Sequence, residues 1–153
     1  MVRIKSRYII AQLLLDPASV PNALADLQGH DILTALREKI SILYGDTGAG
    51  EFGASLSLKF YDSAGPSEQS TQIFIIRCGR EAEQQVRFAM CTIASIKRAT
   101  LIIRTLGLSG SSRTCTEKIR SILCRAVDAW DVSQDVRETK KHKLLTSLRE
   151  GID

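Results

Sequence analysis

Apolar and polar positions alternate from the start of the chain. Val2, Ile4, Tyr8 and Ile10 interleave with Arg3, Lys5 and Arg7, so a half-buried strand is expected over residues 2–15. Asp16, Pro17, Pro21 and Asn22 break it. From Asp31, read as an N-cap, Ile32, Leu36, Ile40 and Leu43 recur at helical spacing up to Tyr44, and Gly45 closes that helix. Gly48 and Gly50 mark a turn. After it, Phe52, Ala54, Leu56, Leu58 and Phe60 share one face of a strand, with Glu51, Ser55, Ser57 and Lys59 on the other. A loop holding Gly65 and Pro66 spans 62–70, and residues 71–78 read as a strand rich in Ile and Phe. Helical spacing returns from about Arg80 to Ile96, with Val86, Ala89, Met90 and Ile93 as the buried stripe. A fourth strand is expected over 100–108, then a tight loop with Gly107, Gly110, Ser111 and Ser112. The last strong helix carries Ile119, Ile122, Leu123, Ala126, Val127 and Trp130 on one stripe. Beyond it the chain is charged, with Leu144, Leu145 and Leu148 marking one further short helix.

The order β-α-β-β-α-β-α is the split βαβ pattern with an addition. The expected fold class is therefore α+β: a ferredoxin-like sandwich with an antiparallel four-stranded sheet and an extra C-terminal helix. Residues 1–130 form a single domain in this reading, and 131–153 a charged, partly helical tail. Right-handed crossovers give the strand order 4-1-3-2. That order sets the start of the first strand beside the ends of the third and fourth. Arg3, Lys5, Arg7, Arg77, Arg80 and the loop holding Arg113 then gather at one end of the sheet. The outer sheet face is expected to carry Ile9, Leu13, Ile73, Ile75 and Ile102. That is too apolar for water, so a protein partner or the extra helices must cover it.

A chain of 153 residues, 44% hydrophobic and 25% charged, suits one globular domain and excludes a disordered polymer. Its longest apolar runs fall well short of the ~20 residues that span a bilayer, so no membrane role is expected. Basic residues near the N-terminus lack an apolar core or a small-residue cleavage pattern, so no secretory signal is expected either. The formal charge of +4 hides an asymmetry: residues 1–15 carry +3, residues 16–76 carry −5 and residues 97–125 carry +6. Such concentration of one sign predicts an anionic partner. The four cysteines, Cys78, Cys91, Cys115 and Cys124, form no C-x-x-C pair and stand far from both histidines. That is no zinc pattern, and they read as buried reduced thiols.

The row Arg3, Lys5 and Arg7 is either a solvated strand face or a set of phosphate contacts. No acid lies near it in sequence, which favours phosphate. The turn Gly110–Thr114 before a helix offers backbone N–H groups and the Arg113 guanidinium to an anion, although an ordinary Ser cap explains it alone. Lys118 and Arg125 extend the same helix face or are simply solvated. The glycines of residues 45–50 precede a strand, with no following Gly-Lys-Ser/Thr, so nucleotide binding is rejected there. Lys140, Lys141 and Lys143 read as a solvated tail, and Met90 and Trp130 as core. No Ser-His-Asp or Cys-His pair and no acidic metal cluster is assembled by the pattern, so the chain reads as a binder. If the partner is RNA, the strand at 71–78 lacks the aromatic run on which RNA-recognition motifs stack bases. Arginine contact with phosphate and RNA shape then fits better.

These residues carry a resemblance. Met1–Tyr8 (MVRIKSRY) resembles the start of the eukaryotic Pop-five subunit family of ribonuclease P and ribonuclease MRP. Ile75–Glu81 is similar to a second block of that family, and Gly110–Arg113 to its glycine-to-arginine turn, with Ser111 and Ser112 replacing the usual middle pair. Tyr44-Gly45-Asp46 with Gly48 falls where the family also carries a glycine turn. The resemblance implies a non-catalytic protein within a ribonucleoprotein that removes the 5′ leader of precursor tRNA, and in its sister particle processes precursor ribosomal RNA. The catalytic RNA would hold the Mg²⁺ ions, leaving no cofactor on the protein. Partners would include that RNA, nearby precursor tRNA and other subunits, one of TIM-barrel type, in the nucleus and nucleolus. Arg3, Lys5, Arg7, Arg77, Arg80 and Arg113 become the expected RNA contacts, with Lys118 beside them. The competing reading is a ferredoxin-like protein-interaction or small-anion regulatory module. A self-sufficient nuclease is weaker still.

Overall fold

A computed structural model describes residues 5–16, 26–63 and 69–152. Val2, Arg3 and Ile4, the breakers Pro17, Pro21 and Asn22, and Gly65 with Pro66 lie outside the described residues.

Strand β1 (Ser6–Leu15) runs through the middle of an antiparallel sheet, flanked by β3 (Ile73–Gly79) and β5 (Ala99–Ser109). β2 (Ser57–Tyr61) pairs with the outer side of β3, and β4 (Ser95–Ile96) with the first residues of β5. The order is β2-β3-β1-β5-β4, which keeps the expected arrangement of the four long strands and adds a fifth. The fifth strand arises because the second helix, α2 (Glu83–Cys91), stops short of Ile96. Ile93 and Ile96 are both buried at a spacing that mimics a continuing helix, yet Lys97 takes a positive φ of 53° and turns the chain into a hairpin. The sheet has five strands, not four.

Helix α1 (Gly29–Gly48) begins three residues earlier than expected. Its N-cap is Gln28, and Asp31 in the first turn accepts the Gln28 N–H at 2.9 Å, so Asp31 caps from inside the helix. Gly45 does break the helical backbone, with φ +67°, a conformation that glycine adopts without strain. The chain then coils on through a helical turn, Ala49–Gly53, where a strand was expected. Phe52 packs edge-on to Tyr44, ring centroids 5.5 Å apart, and that contact favours a coil over an extended segment. The expected single apolar face of the next strand is also split. A register shift between Leu58 and Phe60 turns Leu58 toward α1 and Phe60 to the opposite side.

Two helices cover each face. Ile9, Ala11, Leu13, Phe74, Ile76 and Leu101 pack with α1 and α2. Tyr8, Ile10, Phe60, Ile73 and Ile75 pack with α3 (Ser112–Asp128) and α4 (Gln134–Ile152). Ile9 and Leu13 therefore face α1 and α2, one position out of step with their expected place beside Ile73 and Ile75. Tyr8 to Ala11 are all buried, so alternation carried no signal there. On this outer face α3 and α4 cover Ile73 and Ile75 from within the chain, but Ile102, expected beside them, is left 67% exposed.

The charged segment read as a tail holds a 19-residue helix. Its Leu144, Leu148 and Ile152 are buried against the sheet, at ~2 kcal/mol of transfer energy apiece. Asp62, at the end of β2, accepts from Thr71 N and Oγ1, both at 2.7 Å, and meets Lys140 Nζ of α4 at 3.3 Å. Gly151 lies directly against the Lys59 carbonyl, where a β-carbon has no room. Lys141 pairs with Asp128 at 2.8 Å and Glu138 at 3.1 Å. The run 140–143 is thus part of the fold and not a free tail.

Candidate nucleic-acid interface

Strand pairing decides which cations meet. Arg7 pairs with Cys78, Tyr8 with Arg77 on one side and with Ser109 on the other. The start of β1, the end of β3 and the end of β5 therefore share one end of the sheet. The Arg80 N–H donates to the Lys5 carbonyl at 2.9 Å, carrying the link past the strands. Arg77 Nε donates to Ser6 Oγ at 3.1 Å, which fixes that guanidinium at the rim. The Arg7 guanidinium lies over Gly110: a β-carbon there would stand 2.6 Å from Nη1. Lys118, on the first turns of α3, donates to the Leu108 carbonyl at 2.7 Å and is held near the same end.

Arg113 follows Ser111, the N-cap of α3, whose Oγ accepts the Thr114 N–H at 3.3 Å. The capping interpretation of this turn is thus correct in part, since one of the free helix N–H groups is already satisfied. Arg113 itself is almost wholly exposed and sits 3.4 Å from Glu117. An exposed i,i+4 pair of that kind is worth only ~0.3–0.5 kcal/mol and leaves the arginine available. Among the described residues no ion pair joins Lys5, Arg7, Arg77, Arg80 or Lys118 to a carboxylate. Arg3 lies outside the described residues.

Arg7 belongs to the α1/α2 side and Arg77, paired with Tyr8, to the α3/α4 side, so positive charge wraps both lips of the rim. The strong charge of residues 97–125 is also divided. Lys97 and Arg98 sit at the hairpin that opens β5, ten residues and ~30 Å of strand from its rim end. There Lys97 binds Asp31 Oδ2 at 2.7 Å. Burial alone would raise the Asp31 pKa, but the Lys97 ammonium, the Gln28 N–H and the neighbouring His30 outweigh it and hold the carboxyl below its usual value.

Two further residues complete the rim. Ser6, which the pattern did not single out, braces Arg77, and Gly110, read as the start of an anion-binding turn, clears space for Arg7. A glycine directly after a strand that ends beside an arginine was the available signal. The cysteines offer no site here. Cys78 and Cys115 are buried, and burial pushes both thiols up to about 11. Cys91, expected inside, is exposed, and Cys124 is half-buried. Among the described residues no group of three or more His, Cys, Asp or Glu is placed to hold a metal. Tyr8, Phe60 and Phe74 are buried, and half-buried Tyr61 donates its hydroxyl to Gln72 Oε1 at 2.9 Å, so among the described residues the sheet offers no exposed ring for a base to stack on.

An α+β sandwich whose rim cations, Arg113 apart, pair with no carboxylate among the described residues presents a surface suited to an anionic polymer. The chain belongs to the Rpp14/Pop5 family, whose profile matches residues 7–120. It is 27% identical over 157 residues to the probable ribonuclease P/MRP protein subunit POP5 of Arabidopsis thaliana, covering 97% of this chain and 95% of that one. It is 30% identical to the ribonuclease P/MRP protein subunit POP5 of Saccharomyces cerevisiae, over 72% of this chain and 70% of the other. Ribonuclease P protein component 2 of Pyrococcus abyssi is 28% identical, over 78% and 88% respectively.

Proposed function

We propose that the chain is an RNA-binding protein subunit of the ribonucleoproteins ribonuclease P and ribonuclease MRP. The observation that carries this reading is the meeting of Lys5, Arg7, Arg77, Arg80, Arg113 and Lys118 at one end of the sheet, with one weak acidic partner, Glu117, among the described residues. Phosphate contact of this sort positions a folded RNA without reading its bases. The family's relatives supply the particle.

In this reading the protein does no chemistry itself. The catalytic RNA, with its own Mg²⁺, cuts the 5′ leader from precursor tRNA, and in the sister particle it processes precursor ribosomal RNA. The sandwich is of the ferredoxin-like kind, and the place of work is the nucleus and nucleolus. A TIM-barrel-type subunit stays among the expected partners mainly on the resemblance, because α3 and α4 already cover most of the apolar face that was its structural argument.

Arg7→Glu combined with Arg80→Glu tests the reading. Loss of two phosphate contacts lowers the slope of log affinity against log salt by about 1.4–1.8 and weakens RNA association at every salt concentration. An unchanged slope refutes it.

A further inference from the structure

β5 is paired with β1 along most of its length, but on its other side only Ala99 and Thr100 have strand partners. The Leu101 N–H still reaches the Ala94 carbonyl at 3.0 Å, which places the polar groups of Leu101 on this outer side. Antiparallel pairing alternates residue by residue, so the N–H and C=O of Ile103 and Thr105 point outward as well. Further along, Lys118 takes the Leu108 carbonyl. The hairpin closes one end of this edge and the lysine the other, and no described strand pairs with the stretch between.

Edges of this kind are usually blunted by charge or proline. Here the side chains invite contact instead. Ile102 is 67% exposed and Phe88 of α2 55% exposed, and with Leu14 they line a groove of about 620 Å³ that wraps the edge. In the same groove Thr105 Oγ1 is buried and makes no hydrogen bond among the described residues. Arg104 is exposed, with no acidic partner among the described residues, whereas Arg87 is held by Glu83 at 3.0 Å. The groove is thus an open strand edge with an apolar wall and an uncompensated cation.

We infer that this edge accepts an added β-strand from a partner protein: an extended segment with apolar side chains for Ile102 and Phe88 and a carboxylate for Arg104. Strand addition supplies main-chain partners for Ile103 and Thr105, while alternate side chains give selectivity. A second copy of this chain fits worse. Two-fold pairing of β5 with itself about residues 103–105 sets Arg104 against Arg104, and like charges directly opposite destabilise a sheet. RNA fits worse too, since a phosphate backbone leaves Ile102, Leu14 and Phe88 uncovered. The inference rests on the assignment of the chain to a multi-subunit particle.

The test uses the particle isolated from its own cells through a tag on this chain. Amide exchange at Ile103 and Thr105 slows at least about tenfold relative to the chain alone, and the protection survives ribonuclease digestion. Ile102→p-benzoylphenylalanine cross-links on irradiation to an extended peptide of another protein that bears Asp or Glu. Arg104→Glu lowers retention of that protein several-fold while RNA recovery stays unchanged. Unchanged exchange overturns the proposal, as does a cross-link to a second copy or to RNA alone. An isolate without RNA overturns the subunit assignment, and this inference with it. RNA present with the edge unprotected refutes the edge alone.

Discussion

The guanidinium of Arg7 rests on Gly110, with Nη1 2.6 Å from where a β-carbon would stand. Arg7 opens the first strand and Gly110 follows the last, so this contact closes the rim across most of the chain's length. Gly110→Ala displaces the flexible tip of Arg7 and leaves the backbone undisturbed. The expected outcome is a two- to fivefold loss of RNA affinity, about 0.4–1 kcal/mol, with an unfolding midpoint within ~2 °C of the wild type. Filter binding and thermal denaturation, run side by side, check it.

Asp62 holds β2, the start of β3 and α4 together. It accepts twice from Thr71 and faces the mostly buried Lys140 ammonium. Asp62→Ala removes all three contacts, and with them the carboxylate that faces a mostly buried cation. A loss of about 3–5 kcal/mol is expected in urea denaturation, and Asp62→Ala with Lys140→Met loses less, because the mostly buried charge leaves together with the carboxylate that faced it.

Asp31 gives the fold an acid-sensitive contact. Its carboxyl is held below the usual value in the native state, so its contribution is present in full above about pH 4 and fades as pH falls through the native value. The stability gap between the wild type and Asp31→Asn is therefore constant near neutrality and closes in acid. Urea midpoints measured between pH 7 and pH 2.5 check the sign: a gap that widens in acid contradicts it.

The thiols differ in reach and in ionisation. Burial pushes Cys78 and Cys115 up to about 11, with Glu83 adding to the rise at Cys78, whereas Cys91 is exposed. Since the thiolate is the reactive form, Cys91 is alkylated first at pH 7.5. Cys78 and Cys115 label only on unfolding. Mass spectrometry of the labelled native protein reads the order directly.

The order of the long strands was legible because each is a hydrophobic run bounded by Gly, Pro or polar turns, and right-handed crossovers leave few ways to join them. The rim followed from that order, before any side chain was placed. Which face each residue takes was not legible at Tyr8–Ala11, where burial on both sides erases the alternation. The end of α2 was hidden because Ile93 and Ile96 keep a helical spacing through a hairpin. Phe52 mimicked a strand position while packing on Tyr44. The buried row Leu144, Leu148 and Ile152 lies in so charged a stretch that only the leucines stood out, and the helix looked short. Lys97 and Arg98 counted toward the rim by sequence, although the length of β5 carries them to the far end of the sheet.

Four helices cover most of both sheet faces. What the chain can offer other molecules is its border: a cationic end where strands start and stop, and one unzipped flank. A polynucleotide held by a border is gripped along its sugar–phosphate contour, and its letters stay unread. Choosing one RNA over another then falls to the bend of the RNA itself and to neighbours fastened along the flank.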